Sequence, residues 1–302
     1  MKKAFTLIEI LVVIAILGLL MGTLVYYVGG NTESAHAAKC KTHLKSLASA
    51  VSSAIVTLSD EQYFPLAGSC ETMSLGIHRG GDGRKYFGEI PGWISWNSDG
   101  KYAARPTSHS SSAGWFVSAY EQDPETREYC ITNGAVYKFV RNHETYLCPA
   151  HIKKMPANKR PAWSYVMNGY FGYDKSEGSD SLNSDYYPGR RTSSVYAHST
   201  LLFAELQWED FIGVKVNTSE SAGFENDCTL QYSANDGAEI IGFNHKMGND
   251  IVAHVAYADC HVGVIRYPRN GMSEKDLEEL TRLLCTGKDY EISNGTVREL
   301  TN

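Results

Sequence analysis

"KKAFTLIEILVVIAILGLL", residues 2–20, decides how the rest of the chain is read. Two lysines lead into an apolar run that holds one acid, Glu9, and continues to Val28. As a helix, Phe5–Val28 spans roughly 36 Å at about 1.5 Å per residue, enough for a bilayer core. Lys2 and Lys3 in front of it predict a cytoplasmic N-terminus and an exported remainder. A carboxylate inside a bilayer costs about 2.5–3.5 kcal/mol on insertion scales, so it is normally kept for a reason. Two plainer readings stand beside this one. The first is an ordinary membrane anchor with a stray acid. The second is a secretory signal peptide cleaved after Ala35-His36-Ala37, although the run far exceeds the usual ~7–15 residue apolar stretch of such peptides.

The stretch resembles the N-terminus of type IV prepilins and type II secretion pseudopilins. Their pattern is a short basic leader, a small residue, then Phe-Thr-Leu-Ile-Glu and a long apolar helix. The resemblance implies that residues 1–4 are a leader and that a prepilin peptidase cuts between Ala4 and Phe5. It further implies N-methylation of the new Phe5 amine, and assembly with other pilin or pseudopilin subunits on an inner-membrane platform. Family members usually carry glycine where this chain has Ala4. Such processing explains Glu9 physically. It places a cationic amine four residues before the carboxylate, in surroundings where opposite charges attract far more strongly than in water. Glu9 also sits in the first helical turn, where the helix dipole favours an anion. Between chains, the same attraction can set an axial stagger.

Gly29-Gly30-Asn31 is expected to loosen or bend the helix. Beyond it, Cys40, Leu44, Leu47, Val51, Ile55 and Leu58 recur at helical spacing and form one apolar stripe. Residues 29–60 therefore read as an amphipathic stem whose stripe is covered by a globular body over 61–302. In that body, turn pairs such as Asp82-Gly83, Asn133-Gly134 and Asp236-Gly237 alternate with short apolar runs. Ala135–Val140, Ser164–Met167, Thr200–Leu206, Ile212–Val216, Ala238–Phe243, Ile251–Tyr257 and Val262–Tyr267 read as strands of a mostly antiparallel sheet. Residues 68–115 read as an insertion beside it, and Asp174–Arg191 as a long surface loop. Ser273 starts a helix that Gly287 can end. The fold class expected is α+β, pilin-like, with one long N-terminal helix packed on the sheet.

A second resemblance covers the body. "YLCPAH" (146–151), "WSYVMNGY" (163–170), "STLLFAE" (199–205) and "HKMGNDIVAHVAYADCHV" (245–262) occur in the order seen in a large group of prepilin-like proteins. Those proteins carry His, about ten residues, then Asp-Gly-His-Val; here the spacing is longer and Cys260 takes the glycine position. Glycine there permits a backbone geometry that cysteine resists. The implied role is structural.

The 302 residues carry a formal charge of −6, which disfavours general polyanion binding, so no nucleic-acid partner is expected. Seven cysteines include no Cys-x-x-Cys pair, which argues against a zinc knuckle. Cys130 and Cys148 flank the hairpin expected at Asn133-Gly134 and are candidates for a disulfide. Cys40, on the stem's stripe, reads as core. His245, Asp250, His254, Asp259 and His261 fall close together and have the types of zinc ligands. The plainer reading is a hairpin with Asp259 closing its turn. Asp174–Asp185 is oxygen-rich and would suit calcium better. Trp163, Trp208 and Tyr186-Tyr187, if exposed, could form a polymer-binding face. No Gly-x-Ser-x-Gly, His-Glu-x-x-His or Walker loop is present, so no enzyme is expected. Two rival functions remain: a membrane-anchored periplasmic binding protein that never polymerises, and an exported metal-dependent hydrolase.

Overall fold

The computed structural model describes residues 7–58, 64–65, 67, 69–70, 78–79, 85–86, 92–96, 124–154, 162–171, 195–205, 229–230 and 240–300. Its first element is a helix of 52 residues, α1 (Leu7–Leu58), which runs through Gly29 and Gly30 without interruption. From Ala37 onward the helix divides as its stripe predicts. Cys40, Leu44, Leu47, Val51 and Ile55 are buried, while Ser52, Ser53, Val56 and Thr57 face outward. Among the described residues no helix is long and apolar enough to cross a membrane. The side chains of the apolar run are described from Leu7 to Met21.

The buried half of α1 lies against one face of a six-stranded sheet. The strands used below are β5 (Tyr165–Asn168), β6 (Leu201–Glu205), β7 (Thr229–Leu230), β8 (His245–Met247), β9 (Asp250–Tyr257) and β10 (Val262–Arg266). Four two-residue strands precede them: β1 (Ser69–Cys70), β2 (His78–Arg79), β3 (Lys85–Tyr86) and β4 (Ser95–Trp96). The sheet order is β10-β9-β6-β5-β7, with β8 also paired to β9. All its pairings are antiparallel except β5 with β7.

Alternation along the strands supplies two cores. Tyr165, Met167, Phe203 and Ala256 join the α1 stripe in one, around Trp93 and Tyr146. Val166, Ala204, Ala253 and Val255 point the other way, onto helix α5 (Glu274–Thr286). Leu277, Leu280 and Leu284 of α5 are buried there, as their spacing predicts. Ser273 caps α5 by accepting the Asp276 N–H, and Gly287 closes it in the left-handed conformation. The α+β arrangement expected is therefore present, with the sheet held between α1 and α5.

Four expectations are corrected. Ala135–Val140 forms a turn and the short helix α3 (Tyr137–Val140), not a strand. Gly134 presses its backbone against Trp93, where a Cβ would lie 2.1 Å from the Trp93 carbonyl oxygen, and Ala135 N–H donates to Gly92 O. That tertiary contact overrides the apolar alternation of the segment. With the hairpin goes the bridge. Cys130 lies in helix α2 (Pro124–Thr132), Cys148 precedes α4 (Pro149–Lys154), and no disulfide joins them. Trp163 is buried rather than exposed. Trp93, assigned to an insertion beside the sheet, stacks on Tyr146 at 5.8 Å and meets Phe203 edge-on inside the core. Ile212–Val216, Asp174–Arg191, Trp208 and Tyr186-Tyr187 lie outside the described residues.

Candidate functional site

The β9–β10 hairpin separates the histidines that looked like one cluster. His254 pairs with Val264 across the ladder, so it does not face His261. Asp259 closes the turn, its Oδ1 accepting the His261 backbone N–H at 3.0 Å and lying 2.6 Å from His261 Nδ1. The His261 ring stacks on Tyr257 at 4.2 Å. Asp250 instead pairs with Arg266, at 3.3 Å. Asp259 and His261 are thus a turn device, apart from His245 and His254. Cys260 does adopt the glycine-type backbone, at φ +69°. The strain is held by docking on the stem: its thiol donates to Ala48 O, and Lys45 Nζ donates to Cys260 O at 2.7 Å.

A different cluster forms where α1 meets the sheet. Cys40 from α1, Cys148 from the start of α4, Glu205 from the end of β6 and His245 from the start of β8 converge, all buried. One ligand-type atom from each lies within 4.8 Å of all the others. Cys40 Sγ is 3.0 Å from Glu205 Oε1, His245 Nε2 is 3.1 Å from the same oxygen, and Cys148 Sγ is 3.7 Å from His245 Nε2. Asn244 Nδ2 donates to the other oxygen, Glu205 Oε2, at 3.1 Å. His254 packs its ring on His245 at 4.5 Å, and neither of its ring nitrogens has a hydrogen-bond partner.

The charges here are arranged by proximity. Burial alone would raise the Glu205 carboxyl, but the His245 charge and hydrogen bonds from His245 and both thiols pull it well below the carboxylate range. Burial opposes charge on His245 too, yet Glu205 raises it, so the two form an ion pair. Burial, and then the neighbouring His245 charge, push His254 down to about 3 and keep it neutral. Burial, Cys148 and the Glu205 charge raise the Cys40 thiol. A buried ion pair of this kind is weak support for stability, because desolvation consumes most of the attraction.

The first half of α1 is the opposite case. Every described side chain from Leu7 to Met21 is exposed, with Leu7 at 78% and Leu19 at 71%. Glu9 lies in the first turn of the helix among these apolar neighbours. A patch of this size and character marks a surface made to meet lipid or protein. Residues 1–25 match the model of the prokaryotic N-terminal methylation motif. The chain carries a prepilin-type signal. Among curated proteins and among solved structures nothing matches it.

The match covers residues 1–25 and supports a pilin-like or pseudopilin precursor. Ala4 and Phe5 fall within the matched residues but outside the described ones; Glu9 falls within both. Sequence reasoning placed Cys40 in the core and His245 among the metal-type residues, but it did not join them. It missed Glu205 altogether. The one available signal was a lone acid closing the apolar strand Leu201–Glu205, whose residues are all buried.

Proposed function

We propose that this chain is a structural pseudopilin of a type II secretion or type IV pilus-like fibre. The observation that supports it most is the prepilin signal at residues 1–25 leading directly into an uncovered apolar helix. On this reading residues 1–4 are the leader, removed by prepilin peptidase between Ala4 and Phe5, and the Phe5 amine is methylated. Residues 5–28 anchor the subunit in the inner membrane and later pack in the fibre. The stem over 29–60 and the body over 61–302 face the periplasm or decorate the fibre. An apolar surface running all round the helix suits both lipid and a fibre interior. Glu9 guides docking: its carboxylate attracts the Phe5 amine of its own chain or of a neighbouring subunit, where low dielectric makes that attraction strong.

N-terminal mass spectrometry of membrane-extracted protein tests the processing, with a mature chain beginning at methylated Phe5 as the expected result. A chain starting at Ala38 would instead show a cleaved signal peptide. Glu9→Val tests the assembly step: it should leave membrane insertion intact and abolish incorporation into fibres. Unchanged behaviour of that variant would favour the anchored binding protein that never polymerises.

A further inference from the structure

We propose that Cys40, Cys148, Glu205 and His245 bind one zinc-type divalent ion that pins the stem helix to the body. The proposal goes beyond the fibre reading and does not depend on it. Four protein ligands of types S, S, O and N meet at one point. Tetrahedral bonds of about 2.0–2.3 Å put ligand atoms roughly 3.3–3.8 Å apart. Three of the six separations are 3.0, 3.1 and 3.7 Å and all lie within 4.8 Å, so side-chain shifts of about 1 Å or less reach that. Two thiols and an imidazole select a borderline-soft transition ion and disfavour calcium or magnesium, which take oxygen ligands.

The surroundings are those of a structural site. All four side chains are buried, so no ligand position is left open to substrate, as a catalytic zinc would need. Asn244 orients Glu205 through its second oxygen, the outer support that metal-bound carboxylates usually have. An entry path exists as well. A pocket lined by Glu33, His36, Lys153, Asn244 and Lys246 reaches His245 from the surface. The centre would carry a net −1 with two thiolates, one carboxylate, one neutral imidazole and Zn2+. On binding, the ion displaces the two thiol protons and the proton held between Glu205 and His245, and all three leave to solvent.

A bound ion also accounts for ligands drawn from four separate elements. Cys40 and Glu205 are 165 positions apart, and Cys148 and His245 are 97 apart. Hydrophobic packing already covers the stem, so a polar junction in the same interface needs its own stabilisation. A metal supplies that while satisfying every buried ligand atom at once. The main rival is a Cys40–Cys148 disulfide, which would leave Glu205 and His245 as a buried ion pair with no metal between them.

The test uses the full chain extracted in detergent. Elemental analysis should find one equivalent of zinc in protein prepared without chelator. After chelation, added Co2+ should give the thiolate charge-transfer absorption and the visible bands of a tetrahedral site. Cys40→Ser and His245→Gln should lose both signals. Cys130→Ser and Cys285→Ser, which remove buried thiols outside the cluster, should keep them. The wild-type measurements need no variant, so a misfolded mutant does not shelter the proposal. Protein that carries no zinc and gives no cobalt spectrum would overturn it, as would a Cys40–Cys148 disulfide found by mass spectrometry. A methylated Phe5 terminus read from the same sample reports separately on the fibre assignment.

Discussion

Replacing Leu47 by alanine asks whether the stem is part of the body's core or a rod that merely leaves it. Leu47 is wholly buried and belongs to the cluster that contains Trp93, Tyr146 and Phe203. Truncation removes three carbons from that core and leaves a cavity that the sheet cannot readily close. Buried leucine truncations of this kind cost about 2.7–5 kcal/mol. The fixed strands β6 and β9 on the facing side leave little room to relax, which places the expected loss at about 3 kcal/mol or more. Val56→Ala is the control, since Val56 lies on the same helix and is 79% exposed; surface changes of that type stay within about 0.5 kcal/mol. Urea denaturation followed by tryptophan emission suits the experiment, because Trp93 and Trp163 are both buried beside the stem. Leu47→Ala should lower the midpoint well beyond Val56→Ala, with the slope unchanged. Equal midpoints for the two variants would refute the docking of the stem, and with it the geometry on which the four-ligand cluster rests.

Gly287→Ala should destabilise by about 2 kcal/mol or more, since the residue sits at φ +71° and a Cβ would lie 2.3 Å from Thr200 Oγ1; thermal melts of Gly287→Ala and Thr200→Ala,Gly287→Ala should differ, the double variant regaining the part of the loss due to the clash. Burial, only partly offset by the Glu205 charge, lowers His151 to about 4 from the ordinary histidine value of 6.5. A depressed folded value means stability is present above pH 6.5 and is lost as pH falls toward 4, by up to about 3 kcal/mol. His151→Asn should flatten that part of the pH–stability curve, and an unaltered curve would show that His151 is not held neutral by burial.

Much of the architecture was legible because its causes are local. The stripe from Cys40 to Ile55 lies at helical spacing, and its five residues are buried. β5, β6, β9 and β10 appear within a residue or two of the apolar runs that predicted them. Ser273 and Gly287 bound α5 through hydrogen bonds made within a few residues. Ala135–Val140 failed as a strand because a distant partner, the Trp93 backbone, decides its conformation. The hairpin histidines failed as a cluster because the β9–β10 register sets His254 opposite Val264, and register is a property of the pairing, not of either strand.

The chain by itself determined its N-terminal signal, its long helix and the periodic faces that go inward, since each depends on neighbours a turn or a pleat away. Only the tertiary structure decided that two thiols, an acid and an imidazole from four distant segments share one buried point. No local pattern can announce such a meeting, because what unites those residues is the docking of a helix on a sheet and the exclusion of water between them.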